Sequence, residues 1–308
     1  MPSRAGLDPT LPFLVTRARA MSGGLTGDQI RQRVRSGRWT RLAPGVYRRN
    51  DAELSQAPGD AFASQRRQHA ERAVAQALSL TETVIAGHSA AAVHDIPVIS
   101  RLPDRICLVK ASSHGAHRRD ADIRSWTLHP SDLLHTHPPV TSLARTWFDV
   151  ARLGSMSDAL CAGDYLLREL LVQQTDFRDV IERAGSSRGI RRACVALDHL
   201  SPTRESPLES SSWAYFLRNS VPLPAMQAVV RDSKGGFIGR VDFLWTATRV
   251  IGECDGRLKY QSPEDLYAEK RREDQLRAMG YTLVRWGFSD LQGAELALRL
   301  RRVLARAS

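Results

Sequence analysis

The most constraining feature of this chain is a pair of apolar segments that carry acidic residues. They read RVDFLW (240–245) and VIGEC (250–254), and four residues separate them. A hairpin centred between Ala247 and Thr248 would set Asp242 opposite Glu253, with Cβ atoms roughly 5 Å apart. Because residues two apart on a strand share a face, Asp255 would project beside them. The sequence therefore predicts three carboxylates in one place.

The same register predicts what lies around the carboxylates. Arg240 would stand opposite Asp255, on the acidic face. Val241, Phe243 and Trp245 would point the other way, into a core. A slip of one residue would scatter the acids to both faces, so the prediction depends on the register.

Clustered acids on a hairpin predict a cation. Opposed like charges destabilise a sheet, and carboxylates are the ligands that Mg²⁺ and similar ions prefer. Asp242, Glu253 and Asp255 are therefore the predicted metal ligands, with Mg²⁺ or Mn²⁺ as the ion. A purely structural role stays open for each acid, because Asp-Gly turns and acids at strand edges are common.

The order of these residues resembles the very-short-patch-repair-like (Vsr-like) domains of the PD-(D/E)XK nuclease superfamily. The resemblance covers roughly residues 205–286 and includes RREDQL (271–276) and MGYTLVRW (279–286). It implies a restriction-endonuclease-like α/β/α core. It also implies that Asp242 and Glu253 hold a metal, and that Glu209 on a preceding helix contributes to the site.

The chain departs from that pattern at one position. The family has a lysine two residues after the Glu, where this chain has Asp255. Either Lys259 supplies the positive charge from a shifted position, with Arg240 as a further candidate, or the site does not cleave. Gln275 on the following helix is a weaker candidate for positioning water.

The first fifty residues predict a winged helix-turn-helix. A helix is expected over residues 11–20. Thr26 and Gln29 match the capping-box pattern at the start of a second helix, and Gly37 stands where that helix would stop. The turn signal Ala43-Pro44-Gly45 separates two short strand-like segments that would form the wing.

This region resembles the N-terminal domain of AbiEi-type antitoxins of type IV toxin–antitoxin systems. The matching text is GLT (24–26), GRWTRL (37–42) and GVY (45–47). The resemblance implies double-stranded DNA as a partner, repression of the protein's own promoter, and a nucleotidyltransferase-type toxin encoded nearby. The candidate DNA-binding residues are Arg31, Arg35, Arg38, Arg41, Arg48 and Arg49. The alternative is that these arginines form a solvated face.

Composition is compatible with a nucleic-acid partner. The 308 residues contain 44 Lys+Arg against 33 Asp+Glu, a formal net charge of +11, which favours a polyanion. No apolar run reaches the length of a membrane span, and the four unpaired cysteines are typical of reduced thiols in a cytoplasmic protein.

Three domains are predicted: a winged helix-turn-helix (1–51), a mixed α/β middle domain that is AbiEi-like (52–200), and the nuclease-like domain (201–308). The fold class is α/β, α+β overall. In the middle domain, Asp149 is expected to pair with Arg145 or Arg152 at helical spacing, a structural role.

Two functions follow as hypotheses. The first is a divalent-metal-dependent DNA endonuclease (a hydrolase of phosphodiester bonds) with Asp242, Glu253, Asp255, Lys259 and Glu209 as catalytic residues. The alternative is an antitoxin or transcriptional autorepressor whose nuclease-like domain is inactive.

Overall fold

The computed structural model describes residues 13–50, 61–110, 115–254 and 263–306. It is an α+β protein, as the sequence predicts. Its contacts divide the chain into two compact units, residues 1–155 with 171–197 and residues 156–170 with 198–308. Asp255 and Lys259 lie outside the described residues. No helix in the described part of the chain combines the length and apolarity needed to cross a membrane.

The first unit begins with a small three-stranded sheet and two helices. Its elements are β1 (Leu14–Thr16), α1 (Arg17–Ser22), α2 (Gly27–Arg35), β2 (Trp39–Ala43) and β3 (Val46–Arg49). The sheet order is β1-β3-β2, with both pairings antiparallel. Helices followed by such a hairpin give the predicted winged helix-turn-helix arrangement.

One predicted element in this region is wrong. The helix expected over residues 11–20 is instead strand β1 followed by the short helix α1. Leu14 pairs with Arg48 and Thr16 with Val46, so pairing with a distant strand overrides the local helical preference. Thr16 then caps α1, because its hydroxyl accepts from Arg19 N at 3.2 Å.

The capping box predicted for α2 is confirmed. Thr26 Oγ1 accepts from Gln29 N at 3.2 Å, and Gln29 Oε1 accepts from Thr26 N at 2.9 Å. These bonds satisfy two backbone donors at the helix start. Gly37 follows the helix with φ +73°, a conformation that glycine adopts without strain.

The rest of the first unit is a six-stranded mixed sheet with helices. The helices are α3 (Ala61–Ser79), α4 (Gly87–Val93), α5 (Leu143–Leu153), α7 (Gln174–Ala184) and α8 (Ile190–Asp198). The strands are β4 (Val84–Ile85), β5 (Ile106–Val109), β6 (Ala116–His117), β7 (Ala121–Arg124), β8 (Leu133–Leu134) and β9 (Val140–Thr141), in the sheet order β6-β7-β5-β4-β9-β8. A core cluster joins α3 and α4 to the central strands.

The second unit is an α/β/α sandwich. Its helices are α6 (Met156–Arg168), α9 (Pro207–Arg218), α10 (Pro263–Ala278) and α11 (Glu295–Arg306). Its strands are β10 (Ala225–Arg231), β11 (Phe237–Trp245), β12 (Val250–Cys254) and β13 (Thr282–Trp286). They form a sheet in the order β10-β11-β12-β13, antiparallel except for the parallel β12–β13 pair.

The two faces of this sheet bury different clusters. One face carries Phe243, Trp245 and Trp286 against α6, α9 and α11, and the other carries Leu244 and Ile251 against α10. Apolar burial on both faces of a short sheet supplies most of the stabilisation of such a sandwich. Of the acidic residues, Glu253 lies near the end of β12. Asp242 lies within β11, one residue beyond the point where the β11–β12 ladder ends.

Candidate functional site

The predicted register of the acidic hairpin is confirmed. Phe243 pairs with Gly252, and Trp245 pairs with Val250. Extending this register by one residue sets Asp242 level with Glu253. The backbone ladder ends at the pair Phe243–Gly252, and the next bond is made by a side chain, because Asp242 Oδ2 accepts from Cys254 N at 2.8 Å.

The predicted alternation fails at Val241. It packs with Leu244 and Ile251 on the α10 face, whereas Phe243 and Trp245 pack on the opposite face, as predicted. The change of face between Val241 and Phe243 lies opposite Gln227 of β10, because the neighbours of Gln227 pair with these two residues. The backbone of Gln227 is irregular, with a φ of +51°. A local irregularity of this kind re-aims side chains, and strand periodicity in the sequence gives no sign of it.

Glu253 is held by two arginines. Its side chain is 11% exposed, and each carboxylate oxygen meets a different guanidinium. Arg272 Nη2 of α10 donates to Oε1 at 2.9 Å, and Arg285 Nε of β13 donates to Oε2 at 3.0 Å. Glu253 and Arg285 also occupy the same level of the parallel β12–β13 pair.

The two arginines belong to a wider charge cluster. Arg285 Nη2 donates to Glu269 at 2.9 Å and Arg285 Nη1 donates to Glu273 at 2.7 Å, while Arg272 Nη1 donates to Glu269 at 3.1 Å. Burial alone would lower the pKa of both guanidiniums, but these carboxylates and Glu253 outweigh it and raise the pKa of Arg272 and Arg285. The cluster is therefore stable in its charged form.

Glu209 is also engaged, chiefly by the start of its own helix. Its carboxylate accepts from Ser206 Oγ at 2.8 Å, from Glu205 N at 3.0 Å and from Gln227 Nε2 at 2.8 Å. Ser206 is the N-cap of α9, and an acid in the first turn of a helix stabilises it. Gln227 belongs to β10, where its neighbours Met226 and Ala228 pair with Phe243 and Val241. Its bond to Glu209 therefore ties the start of α9 to the strand beside the acidic hairpin.

Among the described residues, Arg240 pairs with Glu205. Its Nη2 donates to Glu205 Oε2 at 2.7 Å, and both side chains are about half exposed. Asp255, the expected neighbour, lies outside the described residues. An exposed pair of this kind contributes little to stability.

The described acids do not fit a divalent cation in this arrangement. Mg²⁺ and Mn²⁺ need carboxylate oxygens directed at one point, but both oxygens of Glu253 are directed at guanidiniums. The two positive charges within hydrogen-bonding distance would also repel a cation. No group of three or more metal-ligating side chains occurs among the residues that the structure describes.

Sequence reasoning missed the arginine partners of Glu253. Two signals were present. Glu269, Arg272 and Glu273 have the spacing of a charged helix face. A strand–helix–strand pattern predicts that β13 lies parallel beside β12, which brings Arg285 near Glu253.

Three of the six winged-helix arginines are free to meet a ligand. Arg35, Arg38 and Arg41 are exposed, and their side chains form no hydrogen bond or ion pair with any described residue. They follow one another from the end of α2 into β2. This stretch therefore presents three cations to solvent.

The other three arginines have partners within the protein. Arg31 pairs with Asp28 one helical turn away. Arg48 Nη1 donates to Glu71 at 3.0 Å, and Arg49 is half-buried and has an interaction of its own. The positive charge of Arg31 and of Arg48 is therefore partly compensated already.

Comparison with known proteins gives relatives without a stated function. No protein-family model matches the chain. It is 28% identical over 169 residues to the uncharacterized proteins Rv2248 and MT2308 of two Mycobacterium tuberculosis strains, H37Rv and CDC 1551. The match covers 54% of this chain and spans 62% of the length of those proteins. The crystal structure of the RV2827C protein from M. tuberculosis is 16% identical and covers 72% of this chain and 84% of its own, with a TM-score of 0.34.

Proposed function

We propose that this protein binds double-stranded DNA through its winged helix and does not cleave it, acting as a transcriptional autorepressor or antitoxin. The observation that carries the proposal is the pairing of Glu253 with Arg272 and Arg285, because it neutralises the acid that a nuclease would need as a metal ligand. The net charge of +11 supports a polyanionic partner. The partner implied for an antitoxin is a nucleotidyltransferase-type toxin.

DNA affinity is assigned to Arg35, Arg38 and Arg41. Free guanidiniums contact phosphates and release counterions, so each contact adds about one unit to the slope of log affinity against log salt. The triple change of these residues to Gln is expected to weaken duplex binding and to lower that slope by about 3. Fluorescence anisotropy with a labelled duplex at several salt concentrations measures both quantities.

The matched control is Arg302→Gln, which removes the same kind of charge from an exposed position on α11. It should leave affinity and slope nearly unchanged. A loss in the control of about one third of that in the triple variant, the same loss per charge removed, would show that binding depends on overall charge rather than on the winged helix. Protection of the protein's own promoter in a footprint would support autorepression.

A metal-dependent endonuclease is the second candidate, favoured by the hairpin register that sets Asp242 level with Glu253. Its test is nicking of supercoiled plasmid in Mg²⁺ or Mn²⁺. Cleavage by the wild type that is lost in both Asp242→Asn and Glu253→Gln would establish this candidate. Intact plasmid under conditions where DNA is bound would reject it.

A further inference from the structure

A second site with unusual charge lies in the first unit. It is a cavity of about 710 Å³ lined by residues of strands β5 and β7 and of helices α4, α5 and α8. Arginines dominate its lining, and they are Arg105, Arg124, Arg152, Arg188 and Arg192. Among the described lining residues, Asp122 is the only carboxylate. The cavity therefore concentrates positive charge behind low-dielectric walls, which strengthens its attraction for an anion.

Asp122, the carboxylate that lines the cavity, has several cationic partners. Asp122 contacts Arg105 Nε at 3.0 Å and Arg124 Nη2 at 3.3 Å, and it also accepts from His117. Although burial would raise the pKa of Asp122, His117 and these arginines lower it. One carboxylate cannot neutralise two guanidiniums, so positive charge remains on this wall of the cavity.

Arg152 provides the observation that points to a ligand. Its side chain is 5% exposed, and its guanidinium lies over the ring of Trp126 at 4.0 Å from the centroid. Nε donates to Asp149 at 2.8 Å, but Nη2 is buried and has no hydrogen-bond partner among the residues that the structure describes. An unpaired buried donor costs about 1–3 kcal/mol, and more when it is charged. A ligand acceptor in the cavity would remove that cost.

Gly189, in the turn before α8, lies directly against the backbone of Arg152. Gly189 has φ +85°, and a Cβ there would lie 2.4 Å from the carbonyl oxygen of Arg152. Only glycine allows this approach. It brings the turn before α8, with Arg188, onto the end of α5. The side chain of Arg188 forms no hydrogen bond or ion pair with any described residue.

We propose that this cavity binds a small ligand that carries two or more phosphate groups. Guanidiniums bind phosphate oxygens through paired, charge-assisted hydrogen bonds, and a site with several of them matches an oligophosphate better than a single carboxylate. The volume lies in the range of small-molecule sites and leaves room for an organic group beside Trp126. A duplex would not reach Arg152 at its depth, which favours a small ligand over DNA.

The test is isothermal titration calorimetry of the protein with inorganic tripolyphosphate and with ATP at physiological ionic strength. The wild type is expected to bind both. Arg188→Gln should weaken binding roughly tenfold, as expected for loss of one charge-assisted contact. Arg191→Gln is the matched control, since Arg191 is an exposed neighbour that does not line the cavity. This variant should bind both phosphate compounds with the affinity of the wild type.

Three results would overturn the proposal. The first is no binding of either probe by the wild type. The second is an equal loss in the Arg188 and Arg191 variants, which would indicate a general charge effect. The third is loss of duplex DNA or RNA binding in Arg188→Gln with tripolyphosphate affinity unchanged, which would assign the cavity to nucleic acid. If Arg188→Gln does not fold, Arg124→Gln, at an exposed position on the cavity rim, replaces it.

Discussion

At the scale of single residues, the meaning of Glu253 depends on its partners. A glutamate at this strand position can bind a metal when its carboxylate oxygens have no other partner, and it forms ion pairs when guanidiniums donate to those oxygens. In this structure Glu253 forms ion pairs with Arg272 and Arg285. Because both arginines also bind Glu269, removal of Glu253 leaves them partly compensated.

Glu253→Gln is therefore expected to lower the free energy of unfolding by about 1–3 kcal/mol, less than the loss of a fully buried partner. Urea denaturation measures the change. Asp274→Asn is the matched control, because Asp274 is exposed on α10 and forms no ion pair with a described residue, so its change should stay within about 0.5 kcal/mol. A Glu253 variant as stable as the wild type would contradict the ion-pair role.

His69 is expected to make stability depend on pH. It is buried against Ser89, with Nε2 2.9 Å from Oγ, and burial, aided by Arg72, lowers its pKa from 6.5 to about 4. The unfolded chain takes up a proton below pH 6.5 and the folded protein does not until about pH 4. The free energy of unfolding should thus fall by roughly 3 kcal/mol as pH drops through this window.

Denaturation curves at a series of pH values test this contribution. His69→Gln should remove most of the slope between those two pKa values, while His135→Gln, at an exposed position, should keep it. An unchanged slope in the His69 variant would assign the dependence to other groups, of which His94 is the first to examine because burial also lowers its pKa.

At the scale of elements, packing in the hairpin β11–β12 requires a glycine at position 252, within strand β12. A Cβ on Gly252 would lie 2.4 Å from Cη2 of Trp286 and 3.1 Å from Trp245. Trp286 stacks on Phe243 with ring centroids 5.7 Å apart. The glycine thus lets an aromatic ring lie directly on the backbone of the strand that carries Glu253.

Gly252→Ala is expected to destabilise the protein by about 1–3 kcal/mol, because the added methyl group displaces a packed ring. Gly293→Ala is the control in the same unit, since a Cβ there meets nothing within 4 Å. Thermal unfolding of both variants checks the difference. Equal melting temperatures would mean that Trp286 moves aside without cost.

Local patterns were predictable and distant pairings were not. The hairpin register follows from apolar residues on both sides of a short gap, and the capping box of α2 follows from Thr26 and Gln29, which are three residues apart. The local sequence predicts a helix where strand β1 lies, because the partner strand β3 that overrides this preference lies some thirty residues further along the chain. The pairing of Arg285 with Glu253 is an exception, because the order β12, α10, β13 predicts a parallel strand pair that brings these two residues together.

At the scale of the whole molecule, the second unit recruits a helix from earlier in the chain. Helix α6 joins it through Asp164, which accepts from Arg204 Nη2 at 2.8 Å and from Ser210 Oγ at 2.7 Å. Forty residues separate Asp164 from Arg204, so composition and periodicity do not predict the link. Burial raises the pKa of Asp164, although its hydrogen bonds act in the opposite direction.

The two units carry different parts of the proposed function. The first presents arginines without described partners on its winged helix and in its cavity, and the second holds Glu253 between Arg272 and Arg285. Because two guanidiniums hold the Glu253 carboxylate, we expect the protein to bind DNA without cleaving it.

The most direct measurement is one gel of supercoiled plasmid incubated with saturating wild-type protein in Mg²⁺ or Mn²⁺. Half of each sample is loaded directly and half after protease treatment. The prediction is a retarded band in the first half and fully supercoiled plasmid in the second. Nicked or linear plasmid that depends on the metal and disappears with Glu253→Gln would contradict it.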